Sequence, residues 1–284
     1  MKVKAFLGAA VALAVAAALA PPASAKEWTK VVIATEGAYA PYNLVQPDGK
    51  LAGYEIDLAN NLCPRVKLEC TFVTVDWNSV IPGLQAGKYD AVMDGMNITP
   101  KRLEVIDFSL PYTQSPTTFA AMKNGPMANF PDSGKKISLD DEAGTRAEVA
   151  ALAPALKGKI IGVQVSTIQA DLLNTYFKGV AEIRTYGKTE EHDLDLAAGR
   201  VDLVMASTNY FVSTLSKPGG DQMMLVGPLF NGGLLGRGAA IGLRKSDTDL
   251  RDLFNTAFRA ARADGTMKAL AIKWFKRDVT PDWQ

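Results

Sequence analysis

Histidine is almost missing from this 284-residue chain, with His192 the single one, and the only cysteines are Cys63 and Cys70, which form no C-x-x-C pair. So few ligands argue against a zinc site and against thioredoxin-like redox chemistry, and no metal or other cofactor is expected. An excess of charge is missing too: 31 Lys plus Arg stand against 30 Asp plus Glu. With no basic block in the chain, nucleic acid is not an expected partner. Beyond the first 25 residues no apolar run is long enough to span a bilayer. What is present is 48% hydrophobic residues, enough for a substantial core, and a length that suits two domains.

Residues 1–25 read as an export signal. Lys2 and Lys4 precede an apolar stretch from Ala5 to Ala20, then Pro21-Pro22 and the small triplet Ala23-Ser24-Ala25. The apolar run is shorter than a span of ~20 residues and ends in an A-x-A site, so cleavage is expected after Ala25. The leader takes two of the 31 basic residues, leaving 29 against 30 acids on a soluble exported chain from Lys26 to Gln284. Export gives the cysteines a meaning. Cys63 and Cys70 lie where a helix ends, at Pro64, and a strand begins. In an oxidising compartment the pair is expected to close a small loop as a disulfide; two buried free thiols are the alternative.

The exported chain alternates β-branched runs with amphipathic stretches, the pattern of α/β layering. Expected strands are Val31–Thr35, Thr71–Val75, Ala91–Met93, Ile160–Val163, Ile183–Tyr186, Leu203–Met205 and Ala239–Leu243. A helix is expected over Asp247–Ala263, with Leu250, Leu253, Phe254, Ala257, Phe258 and Ala261 on one face and a break at Asp264-Gly265. Leu270, Trp274 and Phe275 mark a final helix. An internal repeat organises the whole: LQAGKYDAVM at 84–93 recurs as LAAGRVDLVM at 196–205, with seven positions matching in type. In each copy a helix stops at a glycine and an aspartate precedes a buried strand. Two lobes of similar topology are therefore expected, with the carboxyl ends of their strands facing a shared crevice. Lobe one takes residues 26–112 and 233–284, lobe two residues 115–230, and two extended hinge crossings join them.

Local signals place chemistry at those strand ends. Thr99 is a good N-cap and Pro100 a good first helical residue, which puts Arg102 in a first turn where a cation opposes the helix dipole. Such an arginine points to a partner carboxylate held by the guanidinium fork; pairing with Glu104 or Asp107 is the plainer alternative. Gly162-Val163-Gln164-Val165-Ser166-Thr167, a strand running into a helix, offers a second anion-binding turn. Glu36, Tyr39, Trp77 and Asp94 follow other strands. Tyr39 and Trp77 are placed to sandwich a planar or aliphatic group while Glu36 and Asp94 balance a cation. Read singly, Trp77 is lobe core and Glu36 a solvated loop acid. His192 is read as a solvated helix residue without a catalytic role.

Tyr39-Ala40-Pro41, Gly53-Tyr54-Glu55-Ile56-Asp57-Leu58, Trp77-Asn78-Ser79-Val80-Ile81-Pro82-Gly83-Leu84, Lys88-Tyr89-Asp90, Asn97-Ile98-Thr99-Pro100-Lys101-Arg102, Asp107-Phe108-Ser109-Leu110-Pro111-Tyr112, Asp264-Gly265-Thr266 and Lys273-Trp274-Phe275 together resemble the extracytoplasmic solute-binding proteins of polar amino acid ABC transporters. The resemblance covers nearly all of the exported chain and is nearest to the lysine/arginine/ornithine-, histidine-, octopine- and nopaline-binding branches. It implies a monomeric two-lobed periplasmic receptor that closes over a cationic amino acid or an arginine-derived opine and docks on an inner-membrane permease. It further implies Arg102 as carboxylate clamp aided by Ser166 and Thr167, Gly95 and Asn97 as contacts to the amine region, Tyr39 and Trp77 as walls, and Glu36 facing the distal cation. Gln164 and Ser207 complete the expected ligand set.

One departure matters. Amino acid binders usually have an aspartate for the α-ammonium at the position aligned with Ser207, and a serine cannot neutralise a buried ammonium. Opine binders also depart here, and an opine carries two carboxylates around its secondary amine. The run from Glu190 to Leu196 resembles the opine branch as well. Two other classes stand beside the receptor: a periplasmic cyclohexadienyl dehydratase on the same fold, with Glu36 or Asp94 as an acid, and a sensory module, which would normally carry a membrane segment.

Overall fold

The structure is a computed structural model that describes residues 26–283; the expected signal at 1–25 lies outside the described residues. Its first sheet is assembled around β1 (Lys30–Thr35), whose apolar residues Val31, Ile33 and Ala34 are buried. Parallel to it on either side run β5 (Glu69–Thr74) and β6 (Ala91–Val92), and β14 (Gly242–Leu243) and β7 (Asp107–Phe108) extend the sheet antiparallel in the order β5-β1-β6-β14-β7. A small antiparallel sheet of β2 (Ala38–Tyr39), β3 (Asn43–Val45) and β4 (Leu51–Ala52) lies between β1 and α1 (Tyr54–Arg65) in the chain. The second sheet has the order β11-β10-β12-β8-β13-β9, from β8 (Thr117–Met122), β9 (Lys136–Ser138), β10 (Ile160–Gln164), β11 (Glu182–Tyr186), β12 (Leu203–Ser207) and β13 (Met223–Asn231). Here too the first three strands are parallel and the next is antiparallel. The two sheets thus share one plan, and each stands in its own α/β lobe.

The repeat is reproduced bond for bond. After α2 (Val80–Gln85) and α6 (Thr189–Ala197), Gly87 and Gly199 take φ of 72° and 69°, the left-handed conformation that a glycine cap adopts without strain. Their amides donate to the carbonyls of Leu84 and Leu196. Asp90 and Asp202 then brace the neighbouring strand in the same way, accepting from Val32 N at 3.0 Å and Ile160 N at 2.9 Å. The copies lead into β6 and β12, in different sheets.

Lobe cores follow from helix amphipathicity. In α8 (Thr248–Ala263) the residues Leu250, Phe254, Ala257, Phe258 and Ala261 are buried at helical spacing, packing with α1 and α9 (Thr266–Phe275) against one face of the first sheet. The second lobe buries Phe119, Phe130, Phe177 and Phe230 edge to face, beside α4 (Glu142–Leu156). Each such ring stabilises by about 2–3 kcal/mol through burial. Cys63 and Cys70 form a disulfide with a Cα–Cα distance of 6.1 Å, tying α1 to β5. The chain crosses between sheets at 109–116 and 232–241, where Tyr112 N donates to Ala239 O at 2.7 Å and Ala239 N to Thr113 O at 2.9 Å. Among the described residues no helix is long and apolar enough to cross a membrane.

Three expectations are corrected. The run Ala239–Leu243 is a strand only at Gly242–Leu243, because Ala239 is drawn into isolated bridges with Asn97 and Thr113. Pro64 lies within the last turn of α1, which continues to Arg65. His192 is not on a solvated face. It is completely buried with Thr189 and Leu196 on the inward side of α6, its ring edge-on to Tyr186 and Tyr210, while Glu190, Glu191 and Leu194 point outward.

Candidate functional site: a charged cleft between the lobes

The ends of β1, β6, β10 and β12 meet at one cleft, to which ten of the eleven residues singled out from sequence contribute: Glu36, Tyr39, Trp77, Asp94, Gly95, Asn97, Arg102, Gln164, Thr167 and Ser207. Ser166 is the exception. Its side chain is exposed and does not line the cleft, but its backbone, at φ 60°, turns its carbonyl to accept from Trp77 Nε1 at 3.2 Å. The lobes stand closed on one another. Gln164 Nε2 donates across the cleft to both Glu36 oxygens at 3.0 and 3.2 Å, and the hydroxyls of Tyr39 and Ser207 lie 2.9 Å apart. The remaining cavity of about 40 Å³ has room for about three water molecules.

Arg102 supplies positive charge to the cleft. Thr99 caps α3 (Pro100–Leu103), its Oγ1 accepting from Arg102 N at 3.2 Å. That turn sends the guanidinium back to donate to Asn97 O at 2.9 Å and places it 5.3 Å from the Trp77 ring centroid. Asp107, the alternative partner, is taken by Arg251 at 2.7 Å. Removal from water lowers the Arg102 pKa to about 10, and its nearest fixed interactions are a carbonyl and an aromatic face. Thr167 caps α5 (Ile168–Leu172), its hydroxyl donating to Gln164 O and accepting from Ala170 N, so the side chain is engaged within its own turn. Asn97 Nδ2 is likewise engaged, by Leu235 O at 2.8 Å.

Glu36 and Asp94 are the acids that line the cleft. Glu36 is buried, not solvated, and burial raises its pKa to about 7 against the lowering effect of Gln164. Asp94 is 3% exposed and its pKa is pushed well up by burial and by Glu36 and Glu55. Tyr39 stacks between Tyr42 and Tyr210, at 5.2 and 5.1 Å. Gly95 must be glycine: φ is 58°, and a Cβ would meet the Tyr39 ring at 2.9 Å. Trp77 serves both readings, packing in a lobe-one core cluster while lining the cleft.

Sequence reasoning passed over Glu55, Tyr42, Gln169 and Thr189. Glu55 is fully buried, accepting from Gly95 N at 2.7 Å, from Asn43 Nδ2 at 2.8 Å and from the Tyr112 hydroxyl. A signal for it existed: Glu55, Leu58, Ala59 and Leu62 recur at i, i+3, i+4 and i+7, which puts an acid on the buried face of α1.

A closed cleft between two α/β lobes, lined by both charged and aromatic side chains, has the form of a binding site for a small solute. The chain belongs to the bacterial extracellular solute-binding proteins, family 3, whose profile matches residues 31–277. It is 41% identical to the octopine-binding periplasmic protein of Rhizobium meliloti over 93% of this chain and 95% of that one. It is 35% identical to the L-arginine-binding protein of Pseudomonas aeruginosa over 88% of this chain and 89% of that one. Among solved structures, a periplasmic His/Glu/Gln/Arg/opine family-binding protein from Silicibacter pomeroyi in complex with lysine matches with a TM-score of 0.71 at 32% identity, over 89% of this chain and all of that one.

Proposed function

We propose that the protein is the periplasmic substrate-binding component of an ABC importer for a cationic amino acid or an arginine-derived opine of the octopine or nopaline type. The observation that carries this reading is that one closed cleft is lined both by the Arg102 guanidinium and by the buried acids Glu36 and Asp94. A ligand with a carboxylate and a guanidinium at its two ends satisfies both, and Tyr39 and Trp77 supply flat walls for the chain between them. Ser207 favours the opine. It is buried and neutral, caps α7 (Thr208–Thr214) by accepting from Tyr210 N, and meets the Tyr39 hydroxyl. An α-ammonium there finds no acid, whereas an opine's secondary amine brings its own second carboxylate. The ligands after which these relatives are named or with which they were solved, octopine, arginine and lysine, support the cationic class.

In this reading lobe one comprises residues 26–112 and 233–284, lobe two residues 115–230, and the protein is exported, acts as a monomer and delivers its ligand to an inner-membrane permease without turning it over. A second reading, an enzyme of the cyclohexadienyl dehydratase kind, draws on Glu36, whose pKa of about 7 suits a general acid. It also draws on the likeness to an ancestral amino acid-binding precursor of that enzyme, at 25% identity and a TM-score of 0.71. Calorimetric titration of ligand-stripped protein with octopine, nopaline, arginine and prephenate separates the readings. Stoichiometric binding of an opine or arginine supports the receptor, and turnover of prephenate overturns it.

A further inference from the structure

The carboxyl groups of Asp94 and Glu55 and the backbone amide of Glu36 stand in one hydrogen-bonded chain beside the cleft. Asp94 Oδ1 accepts from Glu36 N at 3.0 Å and from Asn43 Nδ2 at 2.9 Å, and the same Asn43 amide donates to Glu55 Oε2 at 2.8 Å. Glu55 is fully supplied with donors, from Asn43, Gly95 N and the Tyr112 hydroxyl. That is the environment of an ionised carboxylate, which only accepts. Asp94 differs. The residue lines the cleft, and its Oδ2 is buried and has no hydrogen-bond partner among the described residues. Opposite it, Glu36 has both oxygens on a single Gln164 amide. Lys188 acts on Glu36 and Arg102 feels Asp94, while Asp76 and Glu190 add negative charge around Glu36 and the Tyr89 and Tyr112 hydroxyls lie within reach of Asp94. Two fixed cations at the margin do not balance three acids and their acidic neighbours in a closed cleft. A proton can, and Asp94 Oδ2 is the oxygen free to carry it.

We infer that Glu36 and Asp94 act as a proton-holding pair in front of a fixed Glu55 anion, and that a cationic ligand group enters the cleft in exchange for that proton. The inference rests on the proposed function and deepens it. The ligand's guanidinium or ammonium arrives charged, the proton leaves Asp94 Oδ2 or its partner for solvent, and the net charge of the site is conserved. Burial supports the pair, raising Glu36 and Asp94 from their ordinary range; it raises Glu55 as well, and the Tyr112, Gly95 and Asn43 donors act against that rise. Selectivity follows: a group that is permanently protonated can replace the proton, and a neutral side chain such as glutamine's cannot. Affinity should rise with pH by up to about tenfold per unit while the pair is protonated in the free protein and ionised in the complex.

The test is titration of ligand-stripped protein with arginine and with octopine at pH 6.5, in phosphate and in imidazole, two buffers of very different ionisation enthalpy. The expected result is a buffer-dependent heat corresponding to release of about one proton per ligand. In Asp94→Asn, which preserves shape, release should fall by at least half. The affinity deficit of this variant against wild type should shrink as pH falls from 8 to 5, where the wild-type pair is itself protonated. A purely structural role would leave that deficit independent of pH. Equal heats in the two buffers for the wild-type protein overturn the exchange, as does full proton release by Asp94→Asn. Tight binding without proton release removes only the exchange, whereas failure of both ligands to bind at pH 8 overturns the proposed function and this inference together.

Discussion

Replacing Arg102 by alanine is the most direct challenge to the function proposed for the cleft. The guanidinium is held by one hydrogen bond to Asn97 O and by the Trp77 face, and it has already lost water, as its lowered pKa records. A carboxylate arriving there gains a two-pronged ionic contact without the full desolvation of the arginine having to be met on binding. Truncation should weaken arginine and octopine by about 2–4 kcal/mol, or roughly 30- to 1,000-fold in Kd. Stability of the ligand-free protein should change much less, by about 1 kcal/mol or under, since the lost hydrogen bond is offset by relief of a buried charge. Arg102→Lys should also bind poorly, because an ammonium cannot present the fork or stack on Trp77. Calorimetry gives Kd and urea unfolding gives stability. Binding within twofold of wild type for Arg102→Ala would refute the assignment of the carboxylate end.

Other expectations follow from the same geometry. Glu36 has a folded-state pKa raised from 4.5 to about 7, so the folded chain holds this proton more tightly than the unfolded one. Its contribution is present below pH 4.5 and lost as pH rises through 7, by about 3 kcal/mol; ligand-free Glu36→Gln should flatten the fall in urea-unfolding stability between pH 5 and 7.5, and an unchanged slope would count against the buried acid. Replacing both Cys63 and Cys70 by serine should cost about 2 kcal/mol with opine or arginine affinity within threefold of wild type, because the disulfide ties α1 to β5 and does not border the cleft; a large affinity loss would show coupling to closure. Ser207→Asp should shift preference from octopine toward arginine in competition titration, by supplying an acid beside Tyr39; an unchanged ratio would remove Ser207 from the amine contacts.

What was legible in the sequence is what short spacing encodes. The repeat, the α8 stripe, the Thr99 cap and the cleft residues at strand ends each depend on neighbours within about ten positions, and the structure forms them. The elements passed over depend on distant partners or on residues that mask their own pattern. β8, Thr-Thr-Phe-Ala-Ala-Met, is buried at five of its six positions and so shows no alternation. β13 carries Gly227-Pro228 in its middle, which reads as a turn, yet the strand continues past a register irregularity there. The burial of His192 is masked in the sequence by its acidic neighbours, which dominate the run although only one face of the helix is wet.

Glu55 shows the same limit at the site itself. Its helical spacing placed it on a buried face, but burial of an acid is costly unless donors meet it. The three donors come from residues 43, 95 and 112, separated along the chain and joined only when β3, the turn after β6 and the first crossing converge. The charge pattern of the cleft is therefore a tertiary property. Local sequence names the residues that line the cleft, while their protonation is set first by burial, to which Glu36 and then Glu55 add at Asp94.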